Sequence, residues 1–467
     1  MIRWILLAAL APLGALAAQQ PTAEPRADST ARADSAARAD SARVQRETER
    51  IRNEPRRMPP AATALVDSGA PALTRQQAID LALAQNPQLR VAREQVAQAR
   101  ARSVQATAIP DPSLSATAVG QTGPFSPGGT EHDIALGITI PFPDRIRLAG
   151  HVAEADVQSA ELAYQQLRQL IASQTAQTYD SLLVALKHQD DFQQARQLAR
   201  DFLTRTEARY QAGTSAKLDV IKARVDLAQA ENQLIAGERD IANATAALNR
   251  LVGRVLGAPL SAADSLAIPA NIPDLELLEA RAAEMRPEIQ SLAAQRAGAR
   301  AATSLAKEYW LPDIELSVSH NKVPGAPASY DTGIGIGFPL FFWQHRGGEV
   351  AESHHRELEL AATSRDLSAQ VSQEVRVAWA TASTALRQAR YLRDELLPEA
   401  QQAYHIASVS YGLGGSSALE VLDAKRTLLD AQTQYTDALG AVNDAVSQLQ
   451  LAVGAPLDSV ASGARHD

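Results

Sequence analysis

The chain has 467 residues, of which 45% are hydrophobic and only 4% aromatic, so its core must be built mainly from alanine, leucine and valine. The formal net charge is −8 without a basic stripe, which argues against nucleic acid as a partner. Because the chain contains no cysteine, disulfides, thiol chemistry and cysteine-ligated metal sites are excluded.

The N-terminal segment has the features of an export signal followed by an unstructured leader. Residues 1–18 begin with the positively charged Arg3 and continue as a short apolar run, which predicts a cleaved signal peptide. A membrane anchor is the alternative, but the run is too short for one and Pro12 interrupts it. Residues 19–72 repeat the sequence Arg-Ala-Asp-Ser and contain few large apolar side chains, so we expect a mostly disordered leader. No later stretch is long and apolar enough to predict a transmembrane helix.

The remainder of the chain is an internal duplication. A Tyr-x-x-Gly-x-Ser-x-x-Leu motif begins at Tyr210 and again at Tyr411, roughly 200 residues later. Upstream, Asn86-Pro87 recurs as Arg286-Pro287 at a similar spacing. The sequence therefore predicts a first repeat over 73–257, a linker over 258–274, a second repeat over 275–457 and a flexible tail over 458–467.

Each repeat is expected to contain a helix, two strands, a long helix, a turn and a further helix. In the first repeat, residues 74–107 are predicted to be helical, with Thr74 as the N-cap. Residues 131–140 then alternate between large apolar and small or polar side chains, as do 314–319 and 333–338 in the second repeat. Strands of about 10 residues with one apolar face have the length that a tilted membrane strand needs.

Prolines and aromatic residues gather where the predicted strands meet the helices. The prolines are Pro110, Pro112, Pro141, Pro143, Pro312 and Pro339, and the aromatic residues are Phe142, Tyr309, Trp310, Phe341, Phe342 and Trp343. Proline ends one hydrogen-bond pattern and fixes a bend. In a chain with so few aromatics, their clustering favours an interfacial belt over ordinary packing between helix and sheet.

Two predicted helices are too long for a globular core. They cover 147–211 and 346–411, and about 63 residues at 1.5 Å each would span roughly 95 Å. The helices that follow the turns repeat a large residue every seven positions, with almost only alanine or glycine three positions later. The large positions are Val220, Leu227, Leu234, Ile241 and Leu248, and Val421, Leu428, Tyr435, Val442 and Leu449. This pattern is typical of coiled coils whose backbones approach closely, as in a tubular wall.

The combined pattern resembles the TolC-like outer-membrane factor family. The resemblance rests on the Asn-Pro motif, the proline-edged strand pairs and the duplicated Tyr-x-x-Gly-x-Ser turn, and it covers roughly 73–457. It implies a mixed α and β membrane protein: a trimeric 12-stranded β-barrel, with four strands per chain, continued by a long α-helical coiled-coil tunnel in the periplasm. It further implies a homotrimer in outer-membrane lipid that works with a periplasmic adaptor protein and an inner-membrane pump. Independently, four strands cannot close a barrel, and every strand edge in lipid must be paired.

The two turns are the first candidate functional residues. Gly213, Thr214 and Ser215 form one turn, and Gly414, Gly415 and Ser416 form the other. Glycine is expected to end one helix in a left-handed conformation, and serine or threonine to cap the next. The resemblance implies that adaptor tips dock at both turns, beside their role as simple helix connections.

Acidic residues after the turns are the second candidate. Glu420 and Asp423 lie three apart on one helix face, and the resemblance matches them to carboxylates that ring a closed periplasmic mouth. Such a ring would attract cations and repel anions. The alternatives are a capping box between Ser417 and Glu420 and a solvated face for Asp423. The first repeat has Asp219 as a further gate candidate, but Lys222 replaces the second acid, so a simple salt bridge is the other interpretation.

No pattern in the chain predicts catalysis. Its 9 histidines show no metal-ligand spacing, and neither a phosphate-binding glycine loop nor a nucleophile elbow occurs. We therefore expect no enzyme activity, no metal site and no cofactor. The favoured hypothesis is a passive exit duct of an efflux pump or type I secretion system, opened by its partners. The alternative is a periplasmic coiled-coil adaptor or structural protein without a pore.

Overall fold

The computed structural model describes residues 72–120, 130–338 and 342–457. The predicted signal peptide, the leader up to residue 71 and the predicted tail lie outside the described residues. Among the residues described, no helix combines the length and the apolar character that crossing a membrane would require.

The first repeat opens with two helices rather than one. Helix α1 covers Arg75–Gln85, with the predicted cap at Thr74, and α2 covers Pro87–Ala106. The prediction of a single helix over 74–107 is wrong because the residue before a proline avoids the helical region, and Asn86 is extended at φ −60° and ψ 126°. The Asn86 side chain caps α2 by accepting from the Gln88 N–H, and its amide donates to the carbonyl of Leu251.

Both repeats contribute strands to one four-stranded antiparallel sheet. Its strands are β2 (Ser113–Gly120), β3 (Thr130–Ile140), β5 (Asp313–Lys322) and β6 (Ser329–Gly337), in the order β2-β3-β5-β6. Strand β3 of the first repeat pairs with β5 of the second, so one hairpin from each repeat forms a continuous sheet. The outer edges of β2 and β6 are unpaired within the chain.

The two faces of this sheet differ as the alternation predicted. One face carries exposed large apolar side chains on all four strands: Leu114, Ile134, Leu136, Leu316, Val318, Ile334 and Ile336. The opposite face is made mainly of glycine, serine, threonine and acidic residues. A sheet whose apolar face is solvent-exposed in the single chain is suited to contact with lipid on that face.

Long helical hairpins extend from the sheet in both repeats. Helix α3 (Pro143–Gln211) turns into α4 (Lys217–Leu251), and its 69 residues correspond to roughly 100 Å. In the second repeat, α7 (Phe342–Tyr391) is followed by one π-helical turn (Leu392–Leu396), α8 (Leu397–Leu413) and α9 (Ala418–Val453). The helix predicted over 346–411 is therefore interrupted, since Pro398 in the first turn of α8 has no N–H for a regular helical bond.

The middle of the molecule is built around the remaining short elements. Helix α5 covers Leu275–Met285 and α6 covers Pro287–Lys307, followed by one 3-10 turn. Strand β1 (Ala72–Leu73) pairs in parallel with β4 (Ser261–Ala262), so one short strand lies at the boundary between the predicted leader and the first repeat and the other lies in the predicted linker. Two apolar clusters pack here, one around Leu278, Val375 and Leu449 and the other around Tyr179 and Leu248.

Candidate functional site

Both predicted docking turns lie at the ends of helical hairpins. Gly213 has a φ of +77° and Gly414 a φ of +86°, the left-handed region in which glycine is favoured. The N–H of Thr214 donates to the Arg209 carbonyl at 2.9 Å, and that of Gly415 donates to the Ser410 carbonyl at 2.9 Å. The glycines are exposed, and a side chain added at Gly213 or Gly414 would meet no atom within 4 Å.

Asp219 caps its own helix in the first turn. The N-cap of α4 is Ala216 rather than the serine or threonine that was predicted, and the Asp219 carboxylate accepts from the Ala216 N–H at 3.3 Å. The Ser215 hydroxyl also donates to this carboxylate, at 2.9 Å. The ion pairs found among the described residues do not include the suggested pair between Asp219 and Lys222.

The second turn places both predicted gate acids on the surface of α9. Glu420 completes a capping box: its carboxylate accepts from the Ser417 N–H at 3.0 Å, and the Ser417 hydroxyl accepts from the Glu420 N–H at 3.3 Å. The interpretation of Glu420 as part of a capping box is therefore confirmed. The Asp423 side chain is exposed and makes no hydrogen bond or ion pair with the residues that the structure describes. A gate role for either residue stays a prediction.

A tyrosine-centred cluster joins the two hairpin ends, and the sequence did not single it out. Tyr411 is only 3% exposed; its ring lies 5.5 Å from that of Phe202, and its hydroxyl lies 3.3 Å from the Thr206 hydroxyl. The Arg209 guanidinium lies 4.4 Å from the centre of the Tyr411 ring and donates to the Tyr411 carbonyl. Its counterpart in the first repeat, Tyr210, is 45% exposed. The two tyrosines of the duplicated motif therefore differ, since Tyr411 packs in a core and Tyr210 lies at the surface.

A buried ion pair lies near this cluster, about two helical turns from the start of α9. Lys425 of α9 donates to the Asp226 carboxylate of α4, and Lys425 is only 2% exposed. The seam pattern predicted alanine at position 424 as the small core residue, yet the neighbouring lysine is the more buried of the two. The sequence holds no signal for this burial, because Asp423, Arg426 and Asp430 of the same helix are also charged and remain exposed.

The polar face of the sheet carries acidic side chains. Asp133, Glu315 and Asp331 lie on the face opposite the apolar one, and this face presents no lysine or arginine among the described strand residues. At the helix end of the sheet, Asp313 pairs with Arg145 at 2.6 Å, and the Arg145 guanidinium lies over the Tyr309 ring.

A third polar cluster lies in the middle of the molecule. Arg75 binds the carboxylate of Asp180 through two nitrogens at 3.0 and 3.1 Å and donates to the Ser447 hydroxyl at 2.6 Å. Asp444 lies one turn before Ser447, and one of its carboxylate oxygens is buried without a hydrogen-bond partner in the described part of the chain. Burial raises the pKa of Asp444 to about 6; the Asp180 carboxylate adds to the rise and the Arg75 guanidinium opposes it.

Within the described ranges, no group of three or more histidine, aspartate or glutamate side chains is arranged to hold a metal ion.

Comparison with known proteins accounts for this arrangement. Residues 78–254 and 278–455 each match the outer membrane efflux protein family, so the match covers most of the chain and recurs in both repeats. The chain belongs to the outer membrane efflux protein family. The predicted family resemblance and the predicted duplication are thereby confirmed.

Relatives and solved structures agree with this membership. The chain is 25% identical over 391 residues to the cobalt-zinc-cadmium resistance protein CzcC of Cupriavidus metallidurans, which covers 82% of this chain and 90% of that protein. It is 27% identical over 320 residues to the pyoverdine export outer membrane protein OpmQ of Pseudomonas putida, covering 65% of each. The solved outer-membrane channel OprN superposes with a TM-score of 0.70 at 20% identity, over 82% of this chain and 90% of that one.

Membership in this family decides the broad class of the protein. The predicted fold class, that of the trimeric channels with a β-barrel and a helical tunnel, is confirmed by these likenesses. The protein is an outer-membrane efflux channel protein with a large periplasmic portion. The alternative of a periplasmic coiled-coil protein without a pore is disfavoured, since the family consists of channels.

Proposed function

We propose that the protein is the outer-membrane exit duct of a tripartite efflux pump or a type I secretion system. The observation that carries the proposal is a four-stranded sheet with two unpaired edges, one exposed apolar face and helical hairpins of roughly 100 Å attached to it. Because open strand edges are not tolerated in lipid, the edges of β2 and β6 pair with other copies of the chain. Three copies then form a twelve-stranded barrel, and their hairpins form the tunnel.

The partners of this duct act at the hairpin ends. The exposed turns around Gly213 and Gly414 dock a periplasmic adaptor protein, which links the duct to an inner-membrane pump. The exposure of both glycines and the open space around them support this role. Glu420, Asp423 and Asp219 lie beside the turns and form the acidic mouth that admits cations and is closed at rest.

Metal cations are the substrate class that we propose. The polar face of the sheet bears carboxylates and no cationic side chain within the strands that the structure describes, so a barrel lined by this face would favour cations. The relative CzcC, which aligns over most of both chains, carries cobalt, zinc and cadmium resistance in its name. Deleting the gene should lower the tolerance of the cells to these metals. Unchanged tolerance would contradict the proposed substrate class but not the proposed duct.

The duct itself is tested by mass and conductance. The purified protein in mild detergent should have the mass of a trimer, and it should form ion-conducting pores in planar lipid bilayers. A monomeric mass together with the absence of conductance would refute the proposed function.

A further inference from the structure

The charged side chains of the four-stranded sheet are divided between its two faces by sign. On the strands that the structure describes, every acidic side chain lies on the polar face: Glu131, Asp133, Asp313, Glu315 and Asp331. The basic side chains of these strands, His132, His320 and Lys322, all lie on the apolar face. A cation-selective lumen accounts for the acids, but it gives no reason for bases on the face that contacts lipid.

The three bases lie together at one end of the apolar face. Strands β3 and β5 run side by side through the middle of the sheet. Counted from the helix end, their pairs on this face are Ile140–Ile314, Ile138–Leu316, Leu136–Val318, Ile134–His320 and His132–Lys322. Tyr330 of β6 is the next neighbour of His320, and the centres of the two rings lie 4.6 Å apart. The apolar face therefore ends in a basic and aromatic patch, made of His132, His320, Lys322 and Tyr330.

The distance of this patch from the helix end matches the thickness of a membrane. Ile314 and Lys322 are 322 − 314 = 8 residues apart on one strand, which corresponds to about 26 Å along that strand. With a strand tilt of about 40°, the separation across the membrane is about 20 Å, close to the roughly 25 Å of a barrel's apolar band. The helical hairpins leave the opposite end of the sheet towards the periplasm, so the patch lies at the outer boundary of the membrane. Tyr330 is 77% exposed there, as is typical of tyrosine at such a boundary.

The charges of the patch are not neutralised by the sheet. Glu131 and Asp133 flank His132 in the sequence, but strand alternation places both of them on the other face. His132 and Lys322 are exposed, and neither makes a hydrogen bond or an ion pair with the part of the chain that the structure describes. Cations at a membrane boundary attract anionic headgroups, and their N–H groups form charge-assisted hydrogen bonds with phosphate oxygens.

We propose that the patch of His132, His320, Lys322 and Tyr330 binds the phosphate groups of lipid A, the glycolipid anchor of lipopolysaccharide in the outer leaflet. Lys322 and His132 are directly opposite each other and hold the phosphate, while Tyr330 packs beside the sugar at the boundary. The inference rests on the proposed function in taking the apolar face as the outside of the barrel. Because the patch is built from β3, β5 and β6 of one chain, a trimer carries one such site per copy.

Native mass spectrometry of the purified full-length trimer in mild detergent tests this site. Titration with lipid A that carries both phosphates should load one lipid on each chain, and lipid A without phosphates should bind at least about fivefold more weakly. Lys322→Gln should raise the dissociation constant for phosphorylated lipid A about fivefold, and adding His132→Gln should raise it further. Lys322→Arg should keep the affinity, because it keeps the charge. Lys322→Gln should leave the binding of dephosphorylated lipid A unchanged, which separates a lost phosphate contact from a damaged barrel.

A lysine at the other end of the sheet supplies the matched control. Lys307 is the exposed last residue of α6, on the periplasmic side of the strands, and Lys307→Gln should leave the affinity for lipid A unchanged. The inference is refuted if lipid A binds equally well without its phosphates, or if Lys307→Gln weakens binding as much as Lys322→Gln does. Phosphatidylglycerol that binds as tightly as lipid A and responds equally to Lys322→Gln would also refute it. A trimer that binds lipid A as expected but never conducts would contradict the proposed duct and not the lipid site.

Discussion

Replacing Asp444 by asparagine should remove a pH dependence of stability that this carboxyl group creates. In the folded protein burial raises the pKa of Asp444 from 3.8 to about 6, against the opposing effect of Arg75. The folded state therefore binds the proton more tightly than the unfolded state. The stabilisation from the protonated group is fully present below about pH 4 and is lost as the pH rises through about 6.

The magnitude follows from the shift and from the exposure of the group. For a fully enclosed carboxyl, a change from 3.8 to about 6 would correspond to about 3 kcal/mol. Because Asp444 is only partly buried, solvent screening reduces this to roughly 1–2 kcal/mol. Asparagine has nearly the same shape without the charge, so Asp444→Asn should exceed the unmodified protein in stability by that amount at pH 7 and match it near pH 4.

Urea unfolding of the detergent-solubilised trimer between pH 4 and pH 8 measures this difference. The charged neighbours of Asp444 are Asp180 on α3 and Arg75 on α1; they are the same in both proteins, so their own titration largely cancels. Asp430→Asn, at an exposed carboxylate on the same helix, should leave the pH dependence unchanged. A stability difference that stays constant from pH 4 to pH 7 would show that Asp444 does not titrate near pH 6.

Two further predictions concern the seam and the mouth of the tunnel. Ala438 packs against the apolar cluster that contains Val442, so Ala438→Leu should overpack the helix contact and lower the free energy of unfolding by about 1–3 kcal/mol. An unchanged urea midpoint would mean that Ala438 does not face a closely packed partner helix. Glu420→Ala together with Asp423→Ala should reduce cation preference and divalent-cation block in planar bilayers, with smaller effects from each single change. Glu420→Ala should also cost about 1 kcal/mol of capping, and a double variant with unchanged ion preference would exclude the gate.

Sequence periodicity alone determined the large elements of this protein. The strands appeared with their correct faces because alternation along Ile134 and Leu136 reflects which side meets an apolar environment. The helical hairpins and their turns followed from the seven-residue repeat and from glycine, both of which act locally. The duplication predicted the plan that the two repeats share, a strand pair followed by a long helical hairpin with its turn, although it did not predict the helix break at Asn86 or the short strands β1 and β4.

The differences between the two repeats were decided only by tertiary structure. Tyr411 is buried while Tyr210 is exposed, and Lys425 crosses to another hairpin while Arg224 stays within its own. Asp444 likewise reads as an ordinary surface acid in the sequence, but burial raises its pKa to about 6, and the Asp180 carboxylate adds to the rise. A sequence pattern reports which face of a helix is apolar, but burial of a charge and its pKa depend on groups up to several hundred residues away, which only the packing of helices brings together.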